Sequence, residues 1–180
     1  MIETERLKLI PFIREHYNAI LQNDNVTLGE LLNVETPKNW TEFEDAREAI
    51  PALVSFFEAL GDDLSWGSYF MILKNERKLI GSCGFKGKPD FDNYVEIGYE
   101  VHPQFQSTGI GTEAAKALID FAFTKEIAGV KAHTLRDENN SVHILRKLGF
   151  AFKGEIEITG EGPLWYWLLL KENSPAMGSS

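Results

Sequence analysis

Residues 95–115, VEIGYEVHPQFQSTGIGTEAA, run a period-two strand into a glycine-containing turn and out again into a helix. Val95, Ile97, Tyr99 and Val101 form one apolar face of the strand, and Glu96, Gly98 and Glu100 form the other. From Gly109 to Lys125 the apolar residues Ala114, Ala115, Leu118, Ile119 and Ala122 fall at helical spacing. The first amides of a helix have no internal partner, and the helix dipole places positive potential beside them. Gly109 and Gly111 would let a phosphate approach that backbone closely, so Thr108 to Thr112 are expected to bind an anion or a pyrophosphate. The alternative is a plain strand–helix turn that needs its glycines for sterics alone.

Working outward, Arg6 to Ile10 alternates with period two up to Pro11 and reads as a first strand. Arg14 to about Glu58 is helical in pattern, with breaks near Pro37 and before the segment Trp40 to Leu60, where Glu44, Asp45, Arg47 and Glu48 supply a solvated face. Ser68 to Leu73 and Lys78 to Phe85 read as a hairpin turning at Lys74 to Arg77, and Asp90 to Tyr94 as a further turn. After the central helix come a strand Val130 to Leu135, a short helix Ser141 to Leu148, and strands Phe150 to Ile158 and Leu164 to Leu170. The series predicts one mixed α/β sheet, neither a bundle nor a sandwich. Residues 1–171 are expected to form one domain and residues 172–180 a flexible tail, frayed from Ser174 onward.

The chain has 180 residues, 43% of them hydrophobic and 25% charged, which suits a globular core needing neither disulfide nor metal. Its longest apolar run, Leu164 to Leu170, is seven residues, so no membrane span is expected. The N-terminus has no basic region followed by an apolar stretch, and the single cysteine, Cys83, cannot form an internal disulfide; both point to the cytoplasm. A net charge of -9 disfavours nucleic acid as a partner and favours cations such as protonated amines. His16, His102, His133 and His143 lack metal-ligand spacing, so no metal is expected. Nothing in the sequence fixes an oligomeric state.

Two phosphate motifs can be tested on the turn. The P-loop pattern is absent. Gly109-Ile110-Gly111-Thr112-Glu113-Ala114 formally meets the dinucleotide fingerprint, but the acidic residue expected about 20 positions on falls at Ala128-Gly129-Val130. Only 71 residues follow Gly109, too few for the rest of a typical dinucleotide-binding sheet.

Gln106-Ser107-Thr108-Gly109-Ile110-Gly111 resembles the acetyl-CoA signature Q/R-x-x-G-x-G/A of the GNAT N-acetyltransferases. Asn140 to Phe150, a short helix ending in Lys147-Leu148-Gly149-Phe150, resembles their second signature. With Glu96-Ile97-Gly98-Tyr99 and Thr4-Glu5-Arg6-Leu7, the pattern is similar to the ribosomal-protein-alanine acetyltransferase branch, over Thr4 to about Lys171. The resemblance implies a single mixed, mostly antiparallel central sheet flanked by helices, the acyl-CoA N-acyltransferase fold. It implies acetyl-CoA as cosubstrate and direct transfer to a primary amine, of a small molecule or a protein N-terminus, in a ternary complex. It also implies that the strand ending at Val101 pairs with the pantetheine arm, and that the amides of Gln106, Ser107, Thr108, Gly109, Ile110, Gly111 and Thr112 hold the pyrophosphate. Asn139 or Asn140 would contact the cofactor, because the family's usual asparagine position is Glu138 here.

Acetyl transfer needs a base for the amine and a proton for the leaving thiolate. Carboxylates flanking Gly98 suggest a polar groove, with Glu96 as the base through water and Glu100 as its deputy or as attractor of a cationic acceptor; the alternative is an ordinary solvated strand face. Many enzymes of the family use a tyrosine as acid at the position held here by Leu145, which leaves Ser141 as the expected donor, unless it only caps its helix. Cys83 reads as a core residue, and His102 as structural or cleft-lining. Trp165, Tyr166 and Trp167 read as packing or an acceptor wall, and so do Trp40, Phe56, Phe57 and Trp66. The competing functions are a CoA-binding module without catalysis and a nicotinamide-dinucleotide binder.

Overall fold

The computed structural model describes residues 1–38, 40 and 50–174. Strands β1 (Ile2–Glu3) and β2 (Leu7–Pro11) open the chain, followed by helices α1 (Arg14–Leu21), α2 (Asn25–Leu32) and α3 (Ile50–Leu60). Then come β3 (Ser68–Leu73), β4 (Lys78–Phe85), β5 (Tyr94–Val101), α4 (Ile110–Thr124), β6 (Gly129–Thr134), α5 (Asn140–Lys147), β7 (Ala151–Ile158) and β8 (Gly162–Leu170). The eight strands lie in one sheet in the order β1-β2-β3-β4-β5-β6-β8-β7. Every neighbouring pair is antiparallel except β5 with β6. This is the mixed, mostly antiparallel sheet that the resemblance implies.

Both faces of the sheet are covered, which explains why Tyr69, Phe70, Met71, Ile72 and Leu73 in β3 are all buried despite the period of two. Helices α4 and α5 close one face over Val95, Ile97, Val130, Ala132 and Trp167. Residues of α1 and α2, with Phe12 and Trp40, close part of the other over Phe70, Ile72 and Leu79. There Phe12 stacks on Phe70 at 3.8 Å, and the buried Trp40 indole donates to Asn25 Oδ1 at 3.2 Å. Trp66 is buried and packs against Phe85 and Phe121, and the half-buried Phe57 packs against Tyr17.

The long helical stretch divides into separate helices for local reasons. Asp24 accepts from the Thr27 amide at 3.0 Å and starts α2, and Asn33 ends it in the left-handed conformation, φ 55°. Glu44, Asp45, Arg47 and Glu48 lie outside the described residues. Lys171–Asn173 form a short 3₁₀ turn and Ser174 is buried, so the chain is still packed where fraying was expected. Residues 175–180 lie outside the described residues.

Candidate active site

Strand β5 changes partner along its length. Its first residues, Tyr94 to Glu96, pair with Gly129 to Lys131 of β6, whereas Ile97 to Val101 pair with Phe85 to Gly81 of β4. Both β5 and β6 continue beyond the Glu96–Lys131 pair, but their shared ladder stops there, so the sheet opens as a wedge beside Ile97 to Val101.

A cleft of about 370 Å³ sits at this opening, lined by Tyr99, Glu100, Val101, Gln106, Ser107, Gly109, Gly111, Thr112, Asn140, Ser141, His143 and Ile144. The two GNAT-like segments, 102 to 112 and 140 to 150, therefore meet in space as the resemblance requires. Gly109 caps α4 with φ 84° and Ser107 also has positive φ, 60°, so the loop folds back to present the helix N-terminus to the cleft. The loop is braced by Gln106 Nε2 donating to the Val101 carbonyl at 2.9 Å and by Thr108 Oγ1 donating to the Phe105 carbonyl at 2.5 Å. A Cβ on Gly111 would stand 3.1 Å from Ile144 Cδ1 and 3.7 Å from Val101 Cγ2, so this glycine keeps the helix end open. Orphan amides, a dipole and missing side chains together fit a diphosphate. Ile110 is buried in the core, so only its backbone can serve such a ligand.

The opposite face of the same strands carries a second, smaller cleft of about 230 Å³, lined by Ser68, Ser82, Cys83, Gly84, Phe85, Lys86, Gly98, Tyr99 and Glu100. Register explains it: Ser82 pairs with Glu100 and Gly84 with Gly98, so two glycines lie side by side as a floor with polar groups next to them. Tyr99 and Glu100 line both clefts, which thus meet at the end of β5.

Glu96 behaves differently from the sequence expectation. It is not among the residues lining either cleft. Its Oε1 stands 2.8 Å from Lys86 Nζ and 2.9 Å from His133 Nδ1, ion-pair distances without hydrogen-bond alignment. Burial works to raise its pKa, but its contacts with Lys86 and His133 outweigh it and hold the carboxyl below the usual carboxylate range. A half-buried carboxylate held between two partners with a lowered pKa is a poor base, and of the two it is Glu100 that lines the clefts.

The second segment is also rearranged. Asn139, not Ser141, caps α5: its Oδ1 accepts from the Val142 amide at 3.1 Å while its amide donates to Asp137 at 2.8 Å. Asn139 is thus engaged outside the cleft, whereas Asn140 and Ser141 line it. Glu138 forms a two-pronged pair with Arg146, at 2.6 and 2.8 Å, and Leu145 is buried.

Tyr99 escaped the sequence reading, which treated it as one of an apolar stripe. Its hydroxyl makes a long 3.5 Å hydrogen bond to the Ser141 carbonyl, and burial pushes its pKa up to about 12, so it keeps its proton. His143 and Ile144 also line the cleft; the i, i+3, i+4 spacing from Asn140 is the signal that places them on that helix face. His102 accepts from the Gln104 amide and shapes the turn after β5. Cys83 is buried and its thiol is pushed far up by burial, which leaves it inert. Trp167 is buried and donates to Thr134 Oγ1 at 3.0 Å, Trp165 approaches Glu155, and Tyr166 stacks on His133. Among the described residues no cluster of His, Cys, Asp and Glu could hold a metal, and no helix is long and apolar enough to cross a membrane.

A split sheet with a glycine-led helix on one face and a polar groove on the other is the architecture of an acyl-CoA-type acyltransferase. Residues 6–151 match the family profile of the acetyltransferase (GNAT) domain, and the chain belongs to that family and is an N-acetyltransferase. It is similar to the uncharacterized N-acetyltransferase YjdG of Bacillus subtilis, 29% identical over 151 residues that cover 83% of this chain and 89% of that protein. It is also 28% identical over 167 residues to spermidine N(1)-acetyltransferase of Escherichia coli, covering 87% of this chain and 78% of the relative. The ribosomal-protein-S5-alanine acetyltransferase of Vibrio fischeri shares the fold with a TM-score of 0.63 at 19% identity, over 96% and 98% of the two chains. So does the ribosomal L7/L12 α-N-protein acetyltransferase RimL in complex with coenzyme A, with a TM-score of 0.67 at 16% identity, over 93% and 95%.

Proposed function

We propose that this protein transfers the acetyl group of acetyl-CoA directly to a primary amine, of a small molecule or a protein N-terminus. The observation that carries this is the meeting of two clefts at Tyr99 and Glu100, one suited to a diphosphate-bearing donor and the other open to an acceptor. The diphosphate rests on the amides of Gln106 to Thr112, and the pantetheine arm runs along the unpaired edge of Ile97 to Val101, with Asn140 beside it.

The amine nitrogen attacks the thioester carbonyl, a C–N bond forms and the C–S bond breaks. Glu100 takes the amine proton, and the departing thiolate receives a proton from a hydroxyl lining the cofactor cleft, Ser141 or Tyr99. The described lining of the acceptor cleft carries one carboxylate, Glu100, and one ammonium, Lys86, which favours an acceptor with a single amine over a long polycation.

Glu100→Gln tests the assignment. General-base catalysis contributes roughly 10²–10⁴ in rate, so kcat should fall by at least about a hundredfold while calorimetric affinity for acetyl-CoA stays put. Failure of the well-folded wild type to bind acetyl-CoA overturns the function. Binding without transfer to any of a panel of amines reduces the protein to a CoA-binding module.

A further inference from the structure

The N-terminal segment reaches across the fold to the loop proposed above to cradle the diphosphate. Glu113, in the first turn of α4, accepts from Thr4 Oγ1 at 2.5 Å, from the Arg6 amide at 2.8 Å and from Arg6 Nε at 2.6 Å. The same guanidinium donates through Nη1 to the Thr108 carbonyl at 2.9 Å. Its Nη2 stands so close to Gly109 that a Cβ there would be 3.4 Å away. Arg6 thus ties the loop at Thr108 and the first turn of α4 at Glu113 to a segment more than 100 positions earlier in the chain.

Two physical needs converge on this contact. The loop contains Ser107 in the left-handed region, φ 60°, a conformation that strains a residue with a side chain and persists only when its surroundings hold it. Glu113 meanwhile places a negative charge one turn into the helix whose N-terminus must receive an anion. Burial pushes that carboxyl's pKa up, yet the bonds from Thr4 and Arg6 outweigh it and keep the group charged. A charge so placed repels a diphosphate unless a cation cancels it.

We propose that Arg6 is a positioning residue for the donor: it holds the loop from Gln106 to Gly109 in its diphosphate-binding shape and cancels Glu113. This inference rests on the acetyl-CoA assignment above. It predicts a defect specific to the diphosphate, which a merely structural role would not produce.

Arg6→Gln and Arg6→Lys are compared with wild type for calorimetric affinity to acetyl-CoA, and for thermal protection by acetyl-CoA and by S-acetylpantetheine, which lacks the diphosphate. Arg6→Gln should bind acetyl-CoA at least tenfold more weakly, while protection by S-acetylpantetheine stays unchanged. Arg6→Lys, which keeps the charge but loses the fork, should fall between, and it carries the test if the glutamine variant does not fold. Adding Glu113→Gln to Arg6→Gln should restore affinity by threefold or more, because the uncancelled charge is gone. Affinity for acetyl-CoA within twofold of wild type in a folded variant overturns the proposal, as does an equal loss of protection by both thioesters. A wild type that binds no acetyl-CoA overturns the parent assignment instead.

Discussion

Replacing Gly111 with alanine separates what the backbone needs from what the cleft needs. Gly109 has φ 84°, so a side chain there strains the chain whatever the space. Gly111 lies inside α4 with no positive φ, in a conformation that alanine adopts more readily than glycine. Helix propensity alone favours the variant by about 0.8–1 kcal/mol. Against this, the new methyl would stand 3.1 Å from Ile144 Cδ1, 3.7 Å from Val101 Cγ2 and 3.9 Å from Tyr99 Cδ2. Only the first contact is tight, and it is the end of a flexible side chain, so relief costs about 0.5 kcal/mol of rotamer strain. Net folding stability should therefore rise by about 0.3–0.5 kcal/mol, a Tm change of about +1 to +2 °C for a chain of this size. All three neighbours line the donor cleft, and forcing a methyl into a fitted site costs roughly 1–3 kcal/mol. Acetyl-CoA should accordingly bind about 5- to 150-fold more weakly. Thermal unfolding and calorimetric titration on the same preparation read both numbers. A variant of equal or higher Tm that binds acetyl-CoA as tightly as wild type would refute the claim that this glycine makes room for the donor. A loss of 2 kcal/mol or more in stability would show that the fold, not the ligand, requires it.

Two further predictions concern groups held by partners outside the clefts. Glu96→Gln should destabilise the protein most at neutral pH: the folded carboxyl sits below its usual value of 4.5, so its stabilisation is present above that pH and is lost as pH falls through the lowered value. Urea midpoints of wild type and variant should therefore differ near pH 7 and converge as pH falls through the lowered value, below which both side chains are neutral; a gap that stays constant with pH would contradict the ion-pair assignment. Asn139→Ala should lower stability by about 1 kcal/mol, or about 2–4 °C in Tm, through loss of the α5 cap, while acetyl-CoA affinity changes less than twofold; a large affinity loss at unchanged Tm would instead return Asn139 to the donor site.

The sheet and the phosphate loop were legible because periodicity and glycine placement act locally. The alternation of residues 95 to 101 and the spacing of Ala114, Leu118 and Ala122 survive any tertiary arrangement, and the order of the two signatures names the family. The base was not legible from the strand pattern. Glu96, Gly98 and Glu100 share one face, and only the parting of β5 from β6 after Glu96 decides which carboxylate lines the clefts and which meets Lys86 and His133. Lys86 follows β4 and His133 lies on β6, so no reading of residues 95–101 could reveal them. Capping by Asn139 in place of Ser141 turns on a shift of two residues in where α5 begins, a distance at which helix ends are hard to fix from sequence. Arg6 was read as part of a strand and of the opening segment that carries the resemblance, with no partner assigned, since its partners lie more than 100 residues away.

The sheet order also bears on how the polypeptide is assembled. Strands β1 to β5 pair with their sequence neighbours, so that half can zip up as it emerges during synthesis. The other half cannot, because β8 lies between β6 and β7, with Gly129 to Thr134 facing Leu170 to Trp165. Until residues 162–170 have been made, β6 has an unclaimed edge carrying Val130 and Ala132, and β7 has no partner at all. The nascent chain therefore waits, half-built and adhesive, until residues 162–170 are made, and the wedge between β5 and β6 acquires a firm second wall only when that strand slots in.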